Sequence, residues 1–221
     1  MLGKFFSDPE RLINMTGLLL SGVGTTVSVF ALTLVLSIPL GMLVAVGRMS
    51  RLKVVSKPVA FYIYIMRGTP LLLQVMFIYF LLPQVLPFRF ERFWAVIFSF
   101  VINYAAYFAE IFRGGIQSIP PGQREAAQVL GYTKAQTFFR IILPQTVKRV
   151  ILPVTNEVIT LVKDTALASS VAVMEVLNIA KKQANSAVSI DPYIVAMIIY
   201  LALNGVAEQA MKLVERKLNY Y

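Results

Sequence analysis

"IPPGQREAAQVLGYTKAQTFFRIILPQ", residues 119–145, is the stretch on which the reading of the chain turns. It is too polar to cross a bilayer, yet it interrupts a strongly apolar sequence. Pro120 and Pro121 follow Ser118 and suit a helix start, where a first-turn N–H needs no intrahelical partner. Glu125 then falls in the first turn, where negative charge complements the helix dipole. Ala126, Ala127 and Leu130 form a small, flat apolar face, and Gly131 is placed to end the helix as a C′ residue. Thr133 and Gln136 have capping-box spacing and open a second short helix carrying Phe138 and Phe139. A helix–glycine–helix with a small-residue face suits docking into a groove on another protein. By spacing alone, an amphipathic interfacial loop fits as well.

Composition identifies what surrounds this polar island. The chain has 221 residues, 57% hydrophobic and 14% charged, where a soluble domain has about 45–50% apolar and about 25% charged residues. With a mean hydropathy of +0.70 it reads as an integral membrane protein. The net charge of +10 reflects scarce acids and loop-clustered bases, so nucleic acid is not an expected partner. No cysteine and no histidine are present, which excludes disulfides, Cys/His zinc sites, His-ligated haem and Ser-His or Cys-His catalysis. The first residues, "MLGKFFSDPERLINMTG", carry acids and a proline before any apolar run and do not read as a cleavable signal peptide.

Bilayer-length apolar runs, about 20 residues each, place five transmembrane helices near residues 17–46, 59–82, 93–111, 151–173 and 193–213. One set of flanks carries Arg48, Arg51, Lys53, Lys57, Arg113, Arg124, Lys134, Arg140, Lys148, Arg149, Lys212, Arg216 and Lys217. The other carries only Lys4, Arg11, Arg89, Arg92, Lys181 and Lys182. Basic residues favour the cytoplasm. The N-terminus is therefore expected outside, the C-terminus inside, and residues 119–145 in the cytoplasm.

Ionisable groups at bilayer depth are functional candidates. Arg67 lies near the middle of the second span. Gly68-Thr69-Pro70 should break the helix there, because Pro70 has no N–H for the carbonyl of Met66. Thr69 is expected as N-cap and Pro70 as first residue of an outward half-helix, which aims backbone N–H groups and a guanidinium at one point. Broken helices of this kind hold amino-acid carboxylates in transporters. Asp164, with Thr160 and Glu157 on the same face of the fourth span, offers a carboxylate to an ammonium. The alternative is a structural Arg67–Asp164 bridge. Glu157 is open between these roles, and Glu110 reads as an anchor for Arg113 or for the polar loop that follows rather than as a substrate contact. Met66 is a candidate cavity-lining residue, and Thr25 is read as helix packing or as facing the same cavity. Gly17, Gly22, Gly24 and Gly41 are expected to allow close helix approach.

"REAAQVLGYTKAQTFFRIILPQ" resembles the EAA loop of ABC-importer permeases, through Glu125-Ala126-Ala127, Gly131 and Ile142-Leu143-Pro144. "GVGTTVSV" (22–29), "RGTPLLLQ" (67–74), "NYAAYFAEIFRGGIQSIPPGQ" (103–123) and "NEVITLVKDTALASSV" (156–171) extend the resemblance to the polar amino-acid branch of that family. Ala166 departs from the branch, which more often has Ser there. The resemblance implies a single permease domain over residues 1–221, all-α and polytopic, with the type I (MetI-like) importer fold. It also implies coupling helices at about 119–141, with Gly122, Glu125, Ala126, Ala127, Leu130 and Gly131 facing the ATPase. The implied setting is a bacterial inner membrane. The implied partners are two ABC ATPase subunits, a second permease subunit and an extracytoplasmic substrate-binding protein. No phosphate-loop motif, G-x-x-x-x-G-K-[ST], occurs in the sequence. The chain is therefore not expected to be an enzyme or to hold a cofactor, ATP-Mg belonging to the partner. Polar or basic amino acids are the expected substrates. An oligomeric secondary transporter, an ABC permease for another solute and a membrane assembly protein are the competing readings.

Overall fold

The computed structural model describes residues 8–85 and 89–218, so Lys4 of the charge pattern lies outside the described residues. All regular structure among them is helical. Helix α1 (Pro9–Ser21) begins on Asp8, whose carboxylate accepts the N–H groups of Glu10 and Arg11. It passes through Gly22 into α2 (Val23–Arg48), giving one helical run of 40 residues. The first span thus starts well before residue 17. Gly22 and Gly41 carry the close approach expected of the first-span glycines. A Cβ on Gly22 would stand 2.8 Å from the Val176 nitrogen, and one on Gly41 2.7 Å from the Phe108 Cβ. Gly17 and Gly24 face open space.

Helix α3 (Lys53–Gly68) meets α4 (Leu71–Met76) at Thr69-Pro70. The chain then passes through a π-helical turn (Phe77–Leu81) into the single turn α5 (Leu82–Val85). The bend between the two halves is 107°. Helix α6 (Arg92–Gln117) is the central element. Its Val96, Phe100, Tyr104 and Phe108 join Val29 of α2, Val75 of α4 and Leu161 of the later helix α9 in the main core. Opposite it, Thr26, Thr33, Ser37, Gly41 and Ala45 of α2 make a stripe of small residues at helical spacing, the pattern that lets helix backbones approach in a membrane.

Helix α7 (Pro121–Val129) is followed by α8 (Lys134–Thr137), a π-helical turn (Phe138–Ile142) and α9 (Leu143–Asp164). The second helix of the polar island is therefore not short: it runs on into the fourth helix, which begins before residue 151. Both π-turns stand directly before an X-Pro step, Leu82-Pro83 and Leu143-Pro144. A proline inside a helix deprives the carbonyl four residues back of its donor. The wider turn, closed by the Leu82 and Leu143 amides on Phe77 and Phe138, absorbs that defect without a break. At the other end α9 stops at Asp164, and a 3₁₀ segment (Thr165–Val171) leads to Ala172 in the left-handed region at φ 58°.

Helix α10 (Val176–Ala187), expected only as a loop, is capped by Glu175, whose carboxylate takes the amides of Leu177 and Asn178 and the Tyr200 hydroxyl. It packs Val176, Ile179 and Ala180 against Met15, Leu19 and α11 (Asp191–Leu218). Among the described residues, three helices are long and apolar enough to cross a membrane: α1–α2, α6 and α11. The bent pair α3 with α4–α5 makes a fourth if taken as one span.

Candidate translocation site and coupling face

The break at Pro70 builds one wall of the site. The helix starts one residue later than the sequence suggests, with Pro70 as N-cap (φ −62°, ψ 130°) and Leu71 first. Thr69 does not cap it, because its hydroxyl donates back to the Ile65 carbonyl at 2.8 Å. The Met66 carbonyl, stripped of its usual donor by Pro70, receives Gln74 Nε2 at 3.0 Å and Asn103 Nδ2 at 2.8 Å. Asn103 also donates to Gln74 Oε1 at 3.0 Å, and Gln74 Nε2 donates to Thr69 Oγ1 at 2.8 Å. This closed amide network fixes the bend. The Leu73 and Gln74 amides turn to the Pro70 carbonyl, so those of Leu71 and Leu72 head the half-helix as first-turn donors.

Two cavities meet at Tyr107. The first measures about 480 Å³ and is bounded on one side by residues 69–72, on another by Asn103, Tyr104 and Tyr107, and on the third by Glu157, Thr160, Asp164 and Leu167. Asp164 Oδ2 accepts the Tyr104 hydroxyl at 2.8 Å. Glu157 makes no hydrogen bond or ion pair among the described residues, leaving its carboxylate to the cavity. Two carboxylates thus face a wall of peptide donors and hydroxyls. That arrangement is complementary to a small molecule bearing ammonium or guanidinium groups at one end and a carboxylate at the other.

Arg67 lies in the second cavity, about 410 Å³, with Gly68, Arg48, Ile63, Tyr107 and Glu110. Its Cζ stands 5.2 Å from the Tyr107 ring centroid, a cation–π distance. No ion pair joins Arg67 to Asp164 among the described residues, so the structural bridge considered from sequence is not formed. Glu110 is held by Arg113, Nε at 3.1 Å and Nη2 at 2.5 Å, with Arg48 at 3.9 Å. Of the site residues expected from sequence, the structure brings Thr69, Glu157 and Asp164 together. It sets Arg67 and Gly68 on the far side of Tyr107. Met66, expected to line the cavity, lines neither and enters only through its carbonyl in the network at the break, and Thr25 also lines neither cavity.

Sequence reasoning assigns no role in the site to Gln74, Asn103 or Tyr104. Gln74 is the one amide in an apolar run directly after a proline break, a signal that an orphaned carbonyl needs a donor. Asn103, Tyr104 and Tyr107 stand at i, i+1 and i+4 on one face of α6, which marks a polar stripe on a buried helix.

The segment 119–145 follows its local chemistry except at Glu125, which stands in the second turn of α7 because the helix starts only at Pro121. Gly131 has φ +77°, the Tyr132 amide reaches the Ala127 carbonyl, and the Gly131 amide reaches that of Gln128, both at 3.0 Å: a Schellman C-cap. Thr133 and Gln136 then form the full capping box. Arg149 Nη1 donates to the Ser118 carbonyl at 2.6 Å and ties the elbow before α7 to α9. The expected flat face of Ala126, Ala127 and Leu130 is split. Ala127 is buried against the protein, because it lies on the inward side of α7. Gly122, Glu125, Ala126, Leu130 and Gly131 face outward, and Val129 and Leu130 are 89% and 73% exposed.

Residues 37–220 match the family described as binding-protein-dependent transport system inner membrane component. The chain is 36% identical over 217 residues to an octopine transport system permease protein of Rhizobium radiobacter, covering 94% of this chain and 89% of that one. It is 34% identical over 201 residues to an arginine transport system permease protein of Bacillus subtilis, covering 90% and 92%. Among solved structures, an amino acid ABC transporter with histidines superposes with a TM-score of 0.88 at 32% identity, over 98% of this chain and all of that one. The inward-facing MetNI methionine transporter, at 19% identity and a TM-score of 0.76 over 93% of this chain and 98% of that one, shares the fold. The chain has the MetI-like permease fold and belongs to the family of inner-membrane components of binding-protein-dependent transport systems.

Proposed function

We propose that this chain is the permease subunit of an ATP-driven importer and forms the path by which polar or basic amino acids cross the bacterial inner membrane. The observation that carries the substrate class is the cavity under the Pro70 break, where Glu157 and Asp164 face the first-turn amides of α4. The substrate carboxylate sits at the Leu71 and Leu72 amides. The α-ammonium goes to Asp164, and a second cation, such as a guanidinium, goes to Glu157. Relatives named for arginine and octopine transport agree with a cationic substrate.

In this reading α9 is a fifth span, lined on one face with the carboxylates that keep it from reading as apolar. The greater number of basic flanks puts the N-terminus outside and α7–α8 in the cytoplasm. There the outward Glu125, Ala126, Val129 and Leu130, with Gly131 between α7 and α8, dock on an ABC ATPase. Two ATPases, two permease subunits and an extracytoplasmic binding protein complete the machine, and ATP-Mg is bound by the ATPases. Reconstitution with candidate ATPase and binding proteins tests this. ATP hydrolysis should rise with arginine, lysine, histidine or glutamine and not with a neutral sugar. Hydrolysis indifferent to every amino acid would refute the reading.

A further inference from the structure

The cavity beyond Tyr107 has no role in the function proposed above. Arg48 reaches it from the last residue of α2, and Arg67 from the end of α3. Glu110 is the one acid in its wall among the described residues, and that carboxylate is taken up by the fork of Arg113. Arg67 forms no ion pair among the described residues and rests on the Tyr107 ring. The cavity therefore presents a guanidinium with no direct ion pair among the described residues, with Glu110 and Glu157 acting on it only at longer range, beside a second guanidinium that reaches its acid only at 3.9 Å. Such a place takes a small anion, and two planar forks favour a carboxylate. Along α6, Glu110 and Arg113 follow Tyr107 toward Gln117 and the elbow of α7. The cavity thus lies between the site under Pro70 and the coupling face, with the Tyr107 ring shared by both chambers.

We propose that this cavity is a second, release station for the transported amino acid, where Arg67 and Arg48 receive its carboxylate as it passes Tyr107 toward the cytoplasm. The proposal rests on the amino-acid reading and on the orientation given above. It makes the two charged ends of the path act in sequence: the acids hold the cationic end in the first chamber, and the guanidiniums draw the carboxylate into the second. Because Arg67 is exposed and the chamber is open, the second station binds more weakly than the first, as release requires.

The test uses the permease–ATPase complex in lipid nanodiscs and whichever of radiolabelled L-arginine, L-lysine, L-histidine or L-glutamine most stimulates its ATPase in the reconstitution with the binding protein described above. Equilibrium binding should resolve two classes of site per permease chain. Asp164→Asn should abolish the tight class and leave the weak one. Arg67→Gln should weaken the weak class by roughly ten- to a hundredfold, the effect of one charge-assisted hydrogen bond, and leave the tight class within about threefold. Arg67→Lys should retain part of the weak class. The matching amine without its carboxylate should not occupy the weak class at all. A single class of sites in the parent complex, or an Arg67→Gln variant that weakens the tight class as much as the weak one, would overturn the release station while leaving the amino-acid function standing. No stimulation by any of the four would overturn both.

Discussion

Asp164→Asn is the perturbation that asks most of the site. The carboxylate is half-buried at the C-terminal end of α9 and accepts one hydrogen bond, from the Tyr104 hydroxyl at 2.8 Å. Asparagine keeps the size and can still accept that bond, so the fold should hold. What is lost is the charge opposite the substrate ammonium. Stranding one partner of a buried charge pair costs about 3–5 kcal/mol, and at about 1.4 kcal/mol per decade that is a several-hundred-fold loss of affinity or more. Tyr104→Phe is the control: it removes the neighbour's hydroxyl but not the charge, and a hydrogen bond to a charged group is worth about 1.5–3 kcal/mol. Part of that is regained when the freed carboxylate oxygen bonds the ligand, so the control should fall by less than about tenfold. Titrating radiolabelled amino acid into the purified complex measures both. Near-parent affinity in Asp164→Asn, or a Tyr104→Phe effect as large as that of Asp164→Asn, would show that Asp164 is scaffolding and that the tyrosine wall does the binding.

Gln74→Leu should destabilise the bend, because the Met66 carbonyl and Asn103 lose their bonds to Gln74 and keep only the one between themselves; each lost hydrogen bond is worth about 0.5–1.5 kcal/mol, visible as a lowered melting temperature in detergent. Glu125→Lys and Gly131→Arg should leave membrane insertion intact but release the ATPase in co-purification. At Gly131 the left-handed φ adds a conformational cost of about 1–2 kcal/mol for most side chains, asparagine being among the more tolerant, so Gly131→Asn should retain more binding than Gly131→Ala. A cysteine at Gln128 should be labelled only from the cytoplasm and one at Asn185 only from outside, in a chain with no cysteine of its own. Labelling of both from one side would remove α9 from the spans.

Much of the fold is legible in the sequence because local chemistry states it outright. The two prolines after Ser118, the Gly131 C-cap and the Thr133–Gln136 box each dictate one backbone event, and each occurs where its residues stand. The Pro70 break is equally visible, since a proline must orphan a carbonyl. Its repair is not, because the donors come from Gln74, eight residues along, and from Asn103 on another helix. Helix α10 escapes a reading of the sequence because its apolar Val176, Ile179 and Ala180 need the opposing face of α1 and α11 before they make a pattern. The same limit applies to Arg67. Its place in the chain suggests the Asp164 cavity, but only the packing of α6 interposes Tyr107 and sends the guanidinium to the other side.

The break at Gly131 acquires its meaning from the long helix beyond it. From Lys134 the backbone stays helical through the π-turn at Phe138–Ile142 to Asp164, a rod of roughly 45 Å at 1.5 Å per residue. One end is the exposed coupling face, and the other carries Glu157 and Asp164 into the cavity. A helix transmits displacement along its axis far better than a loop, since bending it at any point sacrifices hydrogen bonds between successive turns. The compliant points are therefore the glycine cap, the widened turn before Pro144 and, within α9, Pro153, which leaves the Arg149 carbonyl without its helical donor. Thr155 adds a side bond to Glu215 of α11 at 2.8 Å, and Arg149 one to the Ser118 carbonyl, so α9 is tied to α11 and to the elbow before α7. In the function proposed above, a push on Val129 and Leu130 would reach the carboxylates as a shift of one face of the cavity against the Pro70 wall. This is the geometry needed to make the two walls of a zwitterion site part company.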